Sequence, residues 1–187
     1  MSVSDKVAHY IKLLKEYNET TNIYSKSAYD KLSFHCEDSL VLSSLLSPKD
    51  KTILDMGSGS GLPSAILAIA NPDKKVIAVE SKSRKRNFLF HVKQSLSLDN
   101  YEVFEGDVQM FTAQNKRVID VVTAKAFAKP PQVLAYAKKA LKKKGVLYIP
   151  ISRRQAEEDA YLQENFTIHT QKNHDAELFL YAQHHIF

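Results

Sequence analysis

Asp55 closes a short apolar run, Thr52–Met56, and Gly57, Gly59 and Gly61 follow at alternate positions with Pro63 just beyond. Glycines spaced this way let the main chain turn tightly and let a ligand lie against bare backbone. Proline suits the first position of a helix, whose open start offers unpaired N–H groups. A dinucleotide fingerprint would need a third small residue where this chain has Leu62. A carboxylate at Asp55 would repel a pyrophosphate, but it can hold the ammonium of an amino-acid moiety, directly or through water. S-adenosylmethionine carries such a group. Glu80 ends the next apolar run, Lys75–Glu80, where an acidic residue some 20 positions past the turn can accept hydrogen bonds from both ribose hydroxyls.

These residues need a scaffold of parallel strands. Apolar runs at Thr52–Met56, Lys75–Glu80, Tyr101–Phe104, Val118–Ala124 and Gly145–Ile151 alternate with helix-period segments over residues 63–70, 83–97, 108–114, 130–143 and 153–164. Regular alternation of this kind predicts right-handed crossovers and a mostly parallel twisted sheet. The runs VIDVV and VLYI lack polar alternation, as strands covered on both faces do. Asn165–Thr170 and Glu177–Ile186, around the polar turn 171–176, predict a C-terminal antiparallel hairpin on the sheet edge. Upstream, Val3, Val7, Tyr10, Ile11 and Leu14 recur at helix spacing. Residues 19–26 read as a polar turn. A second helix is expected from about Ala28 to Leu46, with Leu32, Cys36, Leu40 and Ser43 on one stripe, ended by Ser47-Pro48. The expected organisation is a single α/β domain over residues 1–187, a helical cap (1–48) on an α/β core (49–187).

Composition narrows the function. The chain has 187 residues and a net charge of +5 from 26 basic and 21 acidic side chains, which permits a polyanionic partner without demanding one. Lysine and arginine gather at Lys82–Arg86 and at Lys138–Lys144, with Arg153 and Arg154 beyond, where phosphate contact competes with simple solvation. A single cysteine, Cys36, excludes an internal disulfide and a thiolate cluster and is expected to be buried. No H-E-x-x-H occurs, and no metal is expected. No run approaches the roughly 18 apolar residues of a membrane span, and the charged N-terminus lacks a signal-type segment, so a cytoplasmic monomer is expected.

The Asp-x-Gly-x-Gly-x-Gly strand end resembles the first motif of Rossmann-like methyltransferases. With Asn22-Ile-Tyr-Ser25, His35-Cys-Glu-Asp-Ser39, Asn87-Phe-Leu89 and Asp120-Val-Val-Thr-Ala-Lys-Ala-Phe-Ala128, the chain is similar to the glucose-inhibited division protein B family. That resemblance implies methylation of guanine N7 in small-subunit ribosomal RNA with S-adenosylmethionine, and ribosomal RNA or the small subunit as partner. It implies a cofactor set of Asp55, Gly57, Ser58, Gly59, Gly61, Leu62, Glu80, Ser81, Asp107, Val108, Gln109 and Lys125. Lys125 and Phe127 would act in catalysis, Phe127 by stacking on the guanine. Asn22, His35, Asp38 and Ser39 would lie near the substrate. The chain departs from the family pattern at Phe34 and Lys125, both usually arginine, and at Pro150-Ile151-Ser152, usually lysine-glycine. Two other readings remain: a methyltransferase with a different substrate, and a catalytically weak RNA- or ribosome-binding module.

Overall fold

The computed structural model describes residues 1–173, 175 and 177–187. Helices α1 (Val3–Thr21) and α2 (Leu32–Ser44) precede β1 (Thr52–Met56), α3 (Ser64–Ala70), β2 (Lys75–Glu80), α4 (Ser83–Ser95) and β3 (Tyr101–Glu105). There follow α5 (Val108–Gln114), β4 (Ile119–Thr123), α6 (Pro130–Ala140), β5 (Leu141–Ile151), α7 (Arg153–Glu158), α8 (Ala160–Asn165), β6 (Thr167–Lys172) and β7 (Leu178–His185). The strands form one sheet in the order β3-β2-β1-β4-β5-β7-β6, parallel through β5 and antiparallel at β7 and β6. The order reverses between β1 and β4, the place where open α/β sheets bind ligands outside the strands' carboxyl ends.

Successive strand residues face opposite sides, and each side has its own core. Ile53, Val76, Ala78 and Val121 join Tyr10, Leu14, Leu42, Ile66 and Phe88 under α1 to α4. Leu54, Ile77, Val79 and Val122 join Phe111, Val133, Leu134 and Leu162 under α5, α6 and α8. The sheet is therefore covered on both faces, as its unbroken apolar strands require.

Several boundaries differ from expectation, each for a local reason. Helix α1 runs to Thr21, and Asn22 ends it in the left-handed conformation (φ 49°) common at helix C-termini. Residues 26–31 wind as a 3-10 helix before α2 begins. Helix α2 touches both α3 and β7, so its burial is broader than one stripe: Leu32, Cys36, Asp38, Ser39, Val41 and Leu42 are buried, whereas Leu40 and Ser43 are only half-buried. The expected helix over 153–164 is two helices, because Asp159 Oδ1 accepts from Leu162 N at 3.1 Å and caps a new one. Strand β5 starts early: pairing jumps from Ile119–Leu141 to Val121–Val146, so lysines 142–144 bulge from the sheet. Of the turn expected over residues 171–176, His174 and Ala176 lie outside the described residues.

Candidate active site: two adjoining cavities

The glycine turn is bound to the tips of β1 and β2. Gly57, Gly59 and Gly61 have φ of 70°, 56° and 93°, conformations that side chains resist. Gly57 N and Ser58 N both donate to Val79 O, at 2.9 and 3.0 Å. Glu80, 7% exposed, accepts from Gly59 N through Oε2 and from Lys82 N through Oε1, each at 2.8 Å. One carboxylate thus shapes the turn and keeps free lone pairs toward the space in front of it. That space is a cavity of about 450 Å³ lined by Gly57, Gly59, Glu80, Ser81, Asp107, Val108 and Gln109, together with Lys82, Lys85, Phe127 and Tyr136. Asp107 caps α5 by accepting from Met110 N at 2.7 Å. A Cβ on Gly57 would overlap the Phe127 ring, so glycine there lets the ring lie on the turn. The expected open helix start is partly closed: Gly61 O accepts from Ala65 N at 2.7 Å.

Four expected cofactor residues support this cavity without lining it. Gly61 and Ser58 are buried, and Leu62 packs half-buried against the core. Ser58 Oγ donates to Asp55 O at 3.1 Å. Asp55 is 1% exposed at the end of β1. Its Oδ1 accepts from Thr123 Oγ1 at 3.0 Å across the β1–β4 pairing, and its Oδ2 has no partner among the described residues. Burial raises the Asp55 carboxyl to about 6, against the opposing pull of Ser58, Thr123 and Ser64.

A second cavity of about 430 Å³ adjoins the first, with Ala126 lining both. Its polar wall is a network drawn from three distant parts of the chain. Lys125 Nζ donates to Asp38 Oδ2 at 2.8 Å and to His35 Nδ1 at 3.2 Å. Tyr181 Oη donates to Asp38 Oδ1 at 2.8 Å and to Asp38 O at 2.7 Å. Burial and the Lys125 ammonium hold His35 below its ordinary value, which keeps Nδ1 an acceptor. Burial and the Asp38 charge push the Tyr181 phenol up, so it stays a donor. His35 and Asp38 are joined through Lys125.

The remaining candidates fall elsewhere. Ser39 is buried, and its hydroxyl donates to His35 O at 2.9 Å. Asn22 is exposed at the end of α1 and lines neither cavity. Lys125 lines the second cavity, and Phe127 lines the first, where its ring lies on the turn. Of the basic clusters, Arg86 is spent on the Glu80 and Ser81 carbonyls, Lys142 pairs with Asp120 at 2.8 Å, and Arg153 lines the second cavity. Cys36 is buried, with its thiol pushed up to about 12 by burial.

The family model for rRNA small subunit methyltransferase G matches residues 4–187. The chain belongs to that family. It is 35% identical over 145 residues to ribosomal RNA small subunit methyltransferase G of Fusobacterium nucleatum, a match covering 75% of this chain and 61% of that protein. It is 33% identical to the same-named protein of Nitrosococcus oceani over 160 residues, covering 85% of this chain and 73% of the relative. Among solved structures, it resembles a methyltransferase from Geobacter sulfurreducens (TM-score 0.63, 15% identity, 95% of this chain and 89% of that one). It also resembles M. jannaschii TYW2 in complex with AdoMet (TM-score 0.61, 17% identity, 87% and 76%). The fold is thus the Rossmann-like methyltransferase fold.

The expected cofactor is S-adenosylmethionine, and the residues present suit it. The unpartnered Oδ2 of Asp55 is a buried acceptor of the kind an ammonium satisfies, Glu80 offers two oxygens to a ribose, and bare glycine backbone faces the cavity. Reading the sequence missed Thr123, Tyr136, Phe179 and Tyr181. Thr123 carried a signal, as the polar end of an otherwise apolar strand; Tyr181 carried none, because its partner lies 143 residues away.

Proposed function

We propose that this chain transfers a methyl group from S-adenosylmethionine to N7 of a guanine in small-subunit ribosomal RNA, as a cytoplasmic monomer in which residues 1–48 cap a core of residues 49–187. The observation that carries this reading is the junction of two cavities at Ala126, one fitted to a nucleoside cofactor and the other walled by an ammonium fixed on a buried carboxylate. The names of the family and of its relatives support ribosomal RNA as the substrate. No described helix is long and apolar enough to cross a membrane.

When bound, S-adenosylmethionine supplies an electrophilic methyl on a sulfonium. Guanine N7 attacks with its own lone pair, so no side chain has to remove a proton. The protein's work is then positioning and exclusion of water. Glu80 and the glycine turn would hold the donor at the cavity wall, and the buried Asp55 behind them would meet its ammonium directly or through water. Lys125, pinned by Asp38 and His35, presents its remaining N–H to the O6 edge or a phosphate of a nucleotide drawn out of its stack.

Labelled cofactor, small ribosomal subunits lacking the modification and purified protein test this reading, with free nucleotides as control. Label mapped to guanine N7 in the RNA is the expected result. Intact cofactor binding without transfer to RNA would refute it and leave another substrate or a binding module.

A further inference from the structure

The second cavity has an aromatic wall as well as a polar one. Phe34 on α2 stacks on Phe179 of β7 with ring centroids 5.0 Å apart and planes 23° apart. Phe179 is 2% exposed and anchored in the core, so it is a fixed backing; Phe34 is 42% exposed. The His35 ring meets Phe34 edge-on, at 5.9 Å and 71°, and the same imidazole accepts from Lys125. Both phenylalanines line the cavity that meets the cofactor cavity at Ala126.

We propose that Phe34, backed by Phe179, is a stacking platform for an unpaired nucleobase of the RNA substrate. This deepens the functional reading above and rests on it. Leaving a large ring half in water forgoes burial that a closed core would capture. A ring held parallel to a rigid neighbour presents a flat face at little further entropic cost. Proteins that read single-stranded RNA splay bases onto such aromatic faces. The wall around it suits the same ligand. Ile149, Ile151 and Leu178 give apolar contact, while Lys125, Arg153 and Gln155 supply donors for base edges and phosphates. Phe127, the aromatic singled out for stacking by its place after β4, lines the cofactor cavity, which leaves Phe34 as the ring placed to receive a base.

The chain contains no tryptophan, so Phe34→Trp introduces a single fluorescent reporter at the platform. The probe is a short single-stranded oligoribonucleotide of mixed sequence, compared with the same strand annealed to its complement. The single strand should quench the emission and the duplex should not. Phe34→Leu keeps an apolar cover over Phe179 but removes the ring. It should melt like wild type and bind S-adenosylmethionine normally, yet raise the KM for RNA roughly tenfold. An unchanged KM in Phe34→Leu, or emission indifferent to the single strand, would overturn the proposal. If the wild-type protein methylates no ribosomal RNA, the functional reading fails, and the quenching experiment still decides the platform.

Discussion

Replacing Asp55 by asparagine should strengthen the free protein and weaken its hold on the cofactor. The Asp55 carboxyl is buried, hydrogen-bonded to Thr123 through one oxygen and unpartnered at the other. Burial raises it from an ordinary 3.8 to about 6. Between those values the unfolded chain has lost a proton that the folded chain keeps. Stability therefore falls as pH rises through that window and levels off above about 6. The displacement corresponds to roughly 3 kcal/mol at neutral pH. Asparagine keeps an acceptor for Thr123 and removes the charge. For a chain of this size the melting temperature should then rise by at most roughly 6–12 °C. An ammonium beside the ionised carboxylate reverses the balance. Losing one charge-assisted contact should weaken S-adenosylmethionine binding by about 10- to 100-fold. In the wild type, binding should expel a proton below about pH 6, so affinity weakens there as pH falls. Thermal melts from pH 4 to 8, and calorimetric titrations in buffers of different ionisation enthalpy, read both effects. A variant that melts no higher than wild type at pH 7, or binds cofactor as tightly, would refute the reasoning.

Three other perturbations probe the site and its frame. Gly57→Ala places a Cβ at φ 70° against the Phe127 ring; about 1–2 kcal/mol of stability and at least roughly tenfold in cofactor affinity should be lost, by denaturation and titration. Tyr181→Phe removes the one hydroxyl shared between two Asp38 oxygens and should cost about 1–3 kcal/mol in urea denaturation. Its methyl transfer should fall while the cofactor Kd holds, and a wild-type rate would release Tyr181 from the site. Asp120 is partly buried, but Lys142 and the N–H groups of Lys51 and Thr52 outweigh burial and hold its carboxyl below the ordinary 3.8. That stabilisation is full above 3.8 and lost as pH falls through the lower folded value. The stability gap between wild type and Asp120→Asn should therefore close on acidification, as urea midpoints against pH will show.

The cofactor side was legible in the sequence because it is assembled from neighbours. Asp55, the glycine turn, Glu80 and Asp107 sit at the ends of consecutive parallel strands, and any right-handed βαβ succession brings such ends together. The limits of β1, β2 and α5 agree with expectation to the residue; Gly57 follows β1 and Asp107 caps α5. Asp159 shows a signal that was present and unread: a capping aspartate inside a helical pattern starts a second helix. Phe127 shows one that was not present, because only the positive φ of Gly57 and the close approach of the ring reveal which cavity it lines.

The second cavity has no such local origin. Its ammonium lies 87 residues from the carboxylate that fixes it, and that carboxylate's other oxygen accepts from a tyrosine 143 residues away. Helix α2 supplies Phe34, His35 and Asp38, β7 supplies Phe179 and Tyr181, and the loop after β4 supplies Lys125. The preceding helix braces the cofactor side: Tyr10 of α1, fully buried, donates to Ser60 O in the glycine turn at 2.8 Å. Docking of both chain ends onto the sheet is thus what turns Lys125 from a loop side chain into a fixed donor. A perturbation of β7 that leaves the glycine turn intact should therefore act on substrate and spare the cofactor, whereas one at Tyr10 should act on the cofactor first.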